Sequence, residues 1–418
     1  MTWASEASPA PALRPPARLE NADALRGFAL LGILMVNITY MASAYHGTGV
    51  EDPGFGGPLD QAARWVVTVL FEAKFFLLFS FLFGYGFTLQ LASAERAGSS
   101  FTPRFLRRLT GLFTLGVLHA VVLFPGDILT TYALLGLLLL ALHRIRLRTA
   151  VRLAVTLLAL TATAYLLLAC GLQLSGGSGI DQAAASAHAE AETAALRADG
   201  ASVLSAHLRQ LPQVAVLLVF FQAPAALAAF LLGLATGRAR VLADIGAHPR
   251  VLRRLQCVGF TAGLAGGVMY AHASLLHPGG AYQVLALGVD VITAPLLAAG
   301  YAATVLRLAH GRHRRRVTLV FAPAGRMTLT NYLTQSLVCA LLFTGYGTAL
   351  VGRVPPPVIA VIALALFALQ AAASRFWLAR HRYGPVEWLL RAWTDLSPPR
   401  RKDLPTAQGP TDRARTHS

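Results

Sequence analysis

Residues Phe71–Gly86 read FEAKFFLLFSFLFGYG and lie inside an apolar run, 66–91, that is long enough to cross a bilayer. Glu72 and Lys74 fall within it. An ionised side chain at that depth costs roughly 2.5–3.5 kcal/mol on insertion scales, so it normally faces a partner or a cavity. Of the 36 Lys and Arg residues in the chain, only Lys74 and Lys402 are lysine. A chain that otherwise uses arginine has therefore placed one of its two lysines in the membrane. The run is read as one continuous membrane helix carrying part of a polar centre; the plainer alternatives are a carboxylate pair or a snorkelling stem.

The rest of the 418 residues fit that solvent. Hydrophobic residues make up 55% and charged residues 13%, which excludes an ordinary soluble domain. About ten apolar spans of membrane length follow one another, near 27–44, 66–91, 107–124, 128–142, 150–172, 212–236, 255–275, 281–306, 328–350 and 356–378. The fold class expected is all-α, a polytopic transmembrane bundle, because only helices or closed barrels satisfy their backbone in lipid. Five regions are expected: a disordered tail over 1–20, an N-terminal transmembrane half over 21–172, an outer loop over 173–211, a C-terminal transmembrane half with an interfacial helix over 212–395, and a disordered tail over 396–418.

The net charge of +17 raises nucleic acid as a partner, but its distribution argues against one. Arg64, Lys74, Arg197, Arg209 and Arg353 stand apart, and the other 31 of the 36 bases fall in alternate loops and the two tails. That is the positive-inside pattern, which places both termini in the cytoplasm. Cys170, Cys257 and Cys339 lie within apolar spans and form no metal-type spacing, so neither a disulfide framework nor a metal site is expected.

Candidate site residues come from depth. At about 1.5 Å of rise per residue, Asn37 lies roughly 10 Å from the outer end of its span. Glu72 and Lys74 lie roughly 9–12 Å from theirs, His119 roughly 8 Å and Asp290 roughly 13 Å, with Asp127 at the outer rim. Polar groups from several spans at one level predict an outward-opening polar pocket. Asp127 is also well placed to cap the following helix. Thr328, Asn331 and Gln335 share one helix face, which either lines a cavity or bonds to neighbouring helices. Arg26 and Arg326 stand at the cytoplasmic ends of two of the same spans. His46, alone in a glycine-rich outer loop, reads as exposed.

Two functional classes fit. In an acyltransferase, His119 oriented by Asp127 or Glu72 acts as general base. Lys74 and Asn37 then stabilise an oxyanion, Arg26 and Arg326 hold the phosphates of an acyl-CoA co-substrate, and Asn331, Gln335 and Asp290 contribute to substrate binding. In a secondary transporter or proton-coupled carrier, the same charges form a relay near the midplane.

Several stretches resemble the YeiB-like family of bacterial membrane proteins: ALRGFALLGILMVNI at 24–38, KFFLLFSFLFGYG at 74–86, LGVLHAVVLFPGDILTTYALLG at 115–136, GRMTLTNYLTQS at 325–336 and RYGPVEWLLRAWT at 382–394. The resemblance covers about residues 20–395. That family is similar to a wider group of transmembrane acyltransferases, in which an Asn late in an early helix and a His shortly after it are implicated. Asn37 and His46 sit at comparable places, while His119 lies inside the LHAVVLFPGDIL motif and is the preferred histidine. The resemblance implies a multi-pass protein of the bacterial inner membrane, in contact with membrane lipids. It also implies acyl transfer as the reaction type without supplying a substrate; the expectation drawn here is a thioester donor, a small-molecule or lipid-linked glycan acceptor and no bound cofactor. The orientation is testable: a cysteine placed in the 175–210 loop is expected to react with an impermeant maleimide from outside intact cells, and labelling only after lysis would reverse it.

Overall fold

The computed structural model describes residues 17–176, 181–241 and 248–399; most of the two expected disordered tails lies outside these residues. Fifteen α-helices and one π-helical turn follow one another among them. In chain order these are α1 (Ala17–Ala42), α2 (Pro58–Leu70), α3 (Lys74–Arg96), α4 (Phe101–Val122), α5 (Leu129–Leu142), α6 (Leu147–Leu174), α7 (Gln182–Arg197) and α8 (Gly200–Leu217). After the π-helical turn Leu218–Gln222 come α9 (Ala223–Arg238), α10 (Pro249–Leu276), α11 (Ala281–His310), α12 (Arg314–Arg326), α13 (Thr328–Phe343), α14 (Pro356–Arg380) and α15 (Pro385–Asp395). The all-α polytopic class holds.

Seven of the helices or helix pairs are long and apolar enough to cross a membrane. The other three expected spans coincide with α5 and α13, of 14 and 16 residues, and with the 28-residue α10. Helix α1 begins at Ala17, inside the stretch expected to be disordered. The boundary expected at 211/212 falls inside α8, which runs through Pro212 and the π-helical turn into α9. The outer loop is itself helical: Asp181 caps α7 by accepting from Ala183 and Ala184 N–H, and Asp199 caps α8 by accepting from Ser202 N–H.

Helix α1 is the axis of the bundle, packing on α3, α11, α12, α13 and α14. Its Leu25, Leu30, Leu34 and Ile38 are buried, whereas Leu167 on α6 and Leu369 on α14 stay about two-thirds exposed at 67% and 70% and face outward. Lipid tails are as apolar as leucine, so close backbone contact rather than hydrophobicity brings such helices together. A Cβ on Gly84 of α3 would stand 2.0 Å from the carbonyl oxygen of Phe230 on α9, and one on Gly233 of α9 would stand 2.1 Å from that of Phe81. On α10, Gly259, Gly263 and Gly267 recur at four-residue spacing; the first two lie against α11 and the third against Val69 O of α2.

Loop contacts sort the bundle into two ends. Arg314 pairs with Glu20, Arg104 with Asp395, and Arg238 donates to Ile145 O, which gathers the arginine-rich loops at one end. At the other end Gly352 N–H donates to Ala42 O, Gly345 N–H to Leu196 O, and Arg197 Nε to Val351 O. The alternation of charge along the chain is thus an alternation in space.

The continuous helix expected over 66–91 is broken. Helix α2 stops at Leu70, Ala73 has φ +63°, and α3 starts at Lys74. On an unbroken helix Glu72 and Lys74, two residues apart, would point away from each other. The left-handed residue turns both inward. A non-glycine residue there costs about 1–2 kcal/mol. Ala73→Val is therefore expected to lose about 1–2 kcal/mol more stability than Ala73→Gly, read from unfolding midpoints of the detergent-solubilised protein.

Candidate functional site

Breaking a helix in an apolar bundle frees carbonyl oxygens that water cannot reach, and each needs a donor. The Lys74 ammonium donates to Thr68 O at 3.5 Å, and Tyr301 Oη donates to Leu70 O at 3.0 Å. Beneath them the rings of Phe71, Phe75 and Tyr301 stack in sequence.

Lys74 is wholly buried and stands at the first position of α3, where the helix dipole is positive and disfavours a cation. Asp290 on α11 offsets this, with Oδ1 and Oδ2 at 3.2 and 3.4 Å from Nζ. The Tyr270 ring faces the ammonium at 5.8 Å. Glu72 uses one oxygen twice: Oε1 accepts from Thr68 Oγ1 at 3.2 Å and lies 3.0 Å from His46 Nε2. Thr68 therefore touches both charges, its hydroxyl on Glu72 and its carbonyl on Lys74.

His46 is not the free loop histidine expected. Gly47 follows it with φ +80° in a tight turn, and Tyr40 meets its ring edge-on with centroids 4.4 Å apart. The loop is held by Ser43 Oγ and Gly54 N–H, both donating to Asp52. Lys74 and Asp290 pair with each other, which leaves His46 and Thr68 as the side-chain partners of Glu72. The imidazole keeps an exposed edge, with 16% of its side chain accessible.

The other expected residues fall elsewhere. His119 Nδ1 lies 2.9 Å from Asp127 Oδ1, at the junction of α4 and α5. The pair lies off the hydrogen-bonding direction, and His119 Nε2 has no partner among the described residues. Asp127 also does the structural work its position suggested, Oδ2 accepting from the N–H and hydroxyl of Thr130 at 2.7 and 2.8 Å. Tyr332 stacks obliquely on His119 at 4.9 Å, and His207 on α8 bonds to Val121 O nearby. No described contact joins His119 to Lys74.

Asn331 and Gln335 bond to a neighbouring helix. Asn331 Nδ2 donates to Ala324 O and Ser374 Oγ, Gln335 Nε2 to Gln370 Oε1, and Gln370 Nε2 returns to Asn331 O. Of the two roles open to that face, helix–helix bonding is the one seen; Thr328 Oγ1 bonds back to Gly325 O. Arg26 pairs with Asp23 at 2.9 Å, and Arg326 donates to Arg382 O. Asn37 is half-buried with no side-chain hydrogen bond among the described residues, one turn inward of Tyr40 on α1. Among the described residues no group of three His, Cys, Asp or Glu is placed to hold a metal ion.

The expected single centre is thus divided. Glu72, Lys74 and Asp290 come together, joined by His46 and Thr68, while His119 with Asp127 forms a second pair and Asn331 with Gln335 a third set. The sequence signal for His46 was its spacing after Asn37; Thr68 carried none. Removing one charge of the buried pair strands the other. Lys74→Met is expected to cost about 3–5 kcal/mol of stability, and adding Asp290→Asn to recover most of it, by thermal unfolding.

Comparison with known proteins gives the family. The profile described as "Protein of unknown function (DUF418)" matches residues 236–397. The chain is 33% identical over 394 residues to "Uncharacterized protein YxaH" of Bacillus subtilis (strain 168), covering 91% of this chain and 95% of that protein. It is 28% identical over 400 residues to "Uncharacterized protein YeiB" of Escherichia coli (strain K12), covering 89% and 95%. A third relative, "Uncharacterized 39.9 kDa protein in amylase 3'region" of Bacillus acidopullulyticus, is 28% identical over 389 residues, covering 90% and 94%. No solved structure matches the chain. With near-complete coverage of both chains at this identity, this all-helical, polytopic protein belongs to the family of YxaH and YeiB.

Proposed function

We propose that this protein is a membrane acyltransferase, moving an acyl group from an acyl-CoA thioester to a hydroxyl or amine of an envelope or lipid-linked acceptor at the bacterial inner membrane. The observation that carries the reading is the His46–Glu72 pair at 3.0 Å, set beside the Lys74–Asp290 pair and open on one edge. Glu72 accepts a hydrogen bond from Nε2–H and so fixes the tautomer, which leaves Nδ1 free to accept a proton. Nδ1 removes the acceptor proton as the acceptor oxygen or nitrogen attacks the thioester carbonyl. The tetrahedral intermediate collapses with cleavage of the carbon–sulfur bond, and the imidazolium returns its proton to the leaving thiolate.

Oxyanion stabilisation falls to Asn37, whose amide is uncommitted on α1, the helix that leads into the His46 loop, because the Lys74 ammonium is neutralised by Asp290. Lys74 and Asp290 hold the broken helix in place. His119–Asp127 offers the same chemistry from a pair whose side chains are shut off from solvent, at 0% and 1% exposure. That burial favours His46 as the base.

A second reading has its own observation. A helix broken at membrane depth with ionisable groups on the break is how carriers build a coupling site, and α2–α3 has that form. The two are separated with purified protein in proteoliposomes. Thiol release from acetyl-CoA, dependent on a hydroxyl acceptor, is expected from the wild type. It should fall about 100-fold or more in His46→Gln without change in the unfolding midpoint. Proton movement coupled to a solute gradient, with no thiol release, would instead establish the carrier.

A further inference from the structure

At the arginine-rich end of the bundle, α15 lies across the start of α4. Trp393 Nε1 donates to Arg107 O at 2.9 Å, and the Leu390 side chain sits against Gly111, at 2.6 Å from where its Cβ would be. Of the three arginines in the first two turns of α4, two are committed to α15. Arg104 pairs with Asp395, and Arg107 Nε donates to Thr394 O at 2.8 Å. Arg108, one turn from Gly111, is different: it is half-buried, its Nε is shut off from solvent, and it has no hydrogen bond or ion pair among the described residues.

Its surroundings make this costly. The charges acting on Arg108 are those of Arg26, Arg391 and Glu387, two alike and one opposite. The opposite charge is already spent. Glu387 Oε1 accepts from the N–H groups of Leu329 and Thr330 at 2.7 and 3.0 Å, capping α13, and Oε2 accepts from the Thr330 hydroxyl at 2.5 Å. Asp23, the acid beside Arg26, is paired with Arg26 itself. An unpaired guanidinium with its Nε sealed from water beside two like charges is unfavourable unless an anion completes it. A planar fork of N–H donors matches carboxylate and phosphate alike, and several guanidinium groups together at a membrane face favour the more highly charged phosphate.

We propose that Arg108, with Arg26 and Arg391, forms a phosphate-binding site roofed by α15. The ligand is a phosphate ester at the membrane face, carried either by an anionic phospholipid or by the nucleotide portion of a thioester donor. Arg326, which sequence depth had grouped with Arg26, donates to Arg382 O and is not among the charges acting on Arg108. The site stands on its own contacts and does not require His46 to be a base.

The test uses the full chain in phosphatidylcholine nanodiscs, with two probes measured separately: coenzyme A added in solution, and phosphatidylglycerol titrated into the discs. The readouts are equilibrium binding of each probe and the unfolding midpoint. Wild type is expected to bind at least one probe and to be stabilised by it. Arg108→Gln and the exposed Arg391→Gln should each weaken that binding about 10-fold or more, and Arg108→Lys should recover only part of it. Arg326→Gln and His46→Gln should bind as wild type does. Response to coenzyme A alone assigns the donor phosphates, and response to phosphatidylglycerol alone assigns a lipid headgroup. Binding of both probes by Arg108→Gln and Arg391→Gln as tightly as by wild type, or of neither probe by wild type, overturns the proposal. Loss of thiol release in His46→Gln with probe binding intact would keep this site separate from the acyl-transfer reading.

Discussion

An ammonium sealed from solvent at the start of a helix has to be neutralised, and Asp290 does this for Lys74 across more than two hundred residues of chain. The pair links α3 to α11, and through Thr68 it links the end of α2 as well. Replacing both charges with apolar groups of like size could cost nothing in stability, since buried ion pairs rarely outperform good packing. What the charges secure is geometry. The break at 71–73 leaves carbonyls that need donors, and the lysine supplies one only if its carboxylate partner holds it there.

The same economy of partners runs through the molecule. Glu72 is used by His46 and Thr68, Lys74 by Thr68 O and Asp290, and the carbonyl of Leu70 is taken up by Tyr301. Asn331, Gln335, Gln370 and Ser374 form an interhelical ladder between α13 and α14 in which side-chain amides bond to each other and to backbone. Against this background the uncommitted groups stand out. Asn37, His119 Nε2 and Arg108 have no hydrogen-bonding partner among the described residues, and it is at such groups that a ligand finds something to bind.

Packing supplies the frame that keeps these groups placed. The crossings of α3 with α9 and of α10 with α11 run through glycines whose missing side chains let backbones touch. Because α3 is fixed against α9, and α11 against α10, Lys74 and Asp290 meet without either helix being free to slide. Gly116 serves the second pair in the same way: a Cβ there would stand 2.5 Å from Thr130 N and 2.6 Å from Asp127 Oδ2.

The helical, polytopic class was determined by the sequence alone, through runs of apolar residues whose backbone has no other way to satisfy itself in lipid. So was the alternation of arginine-rich loops, since charge in short loops is a local property. The amphipathic α15 with its proline start was legible for the same reason. Tertiary structure decided which polar residues meet. Equal depth on separate helices does not fix the rotation of each helix about its axis, and so it could not say that His119 would face Asp127 while Glu72 took His46. Nor could hydropathy show the break at Ala73, because a helix interrupted within lipid is exactly as apolar as one that is not, and only the donors waiting on other helices make the interruption stable.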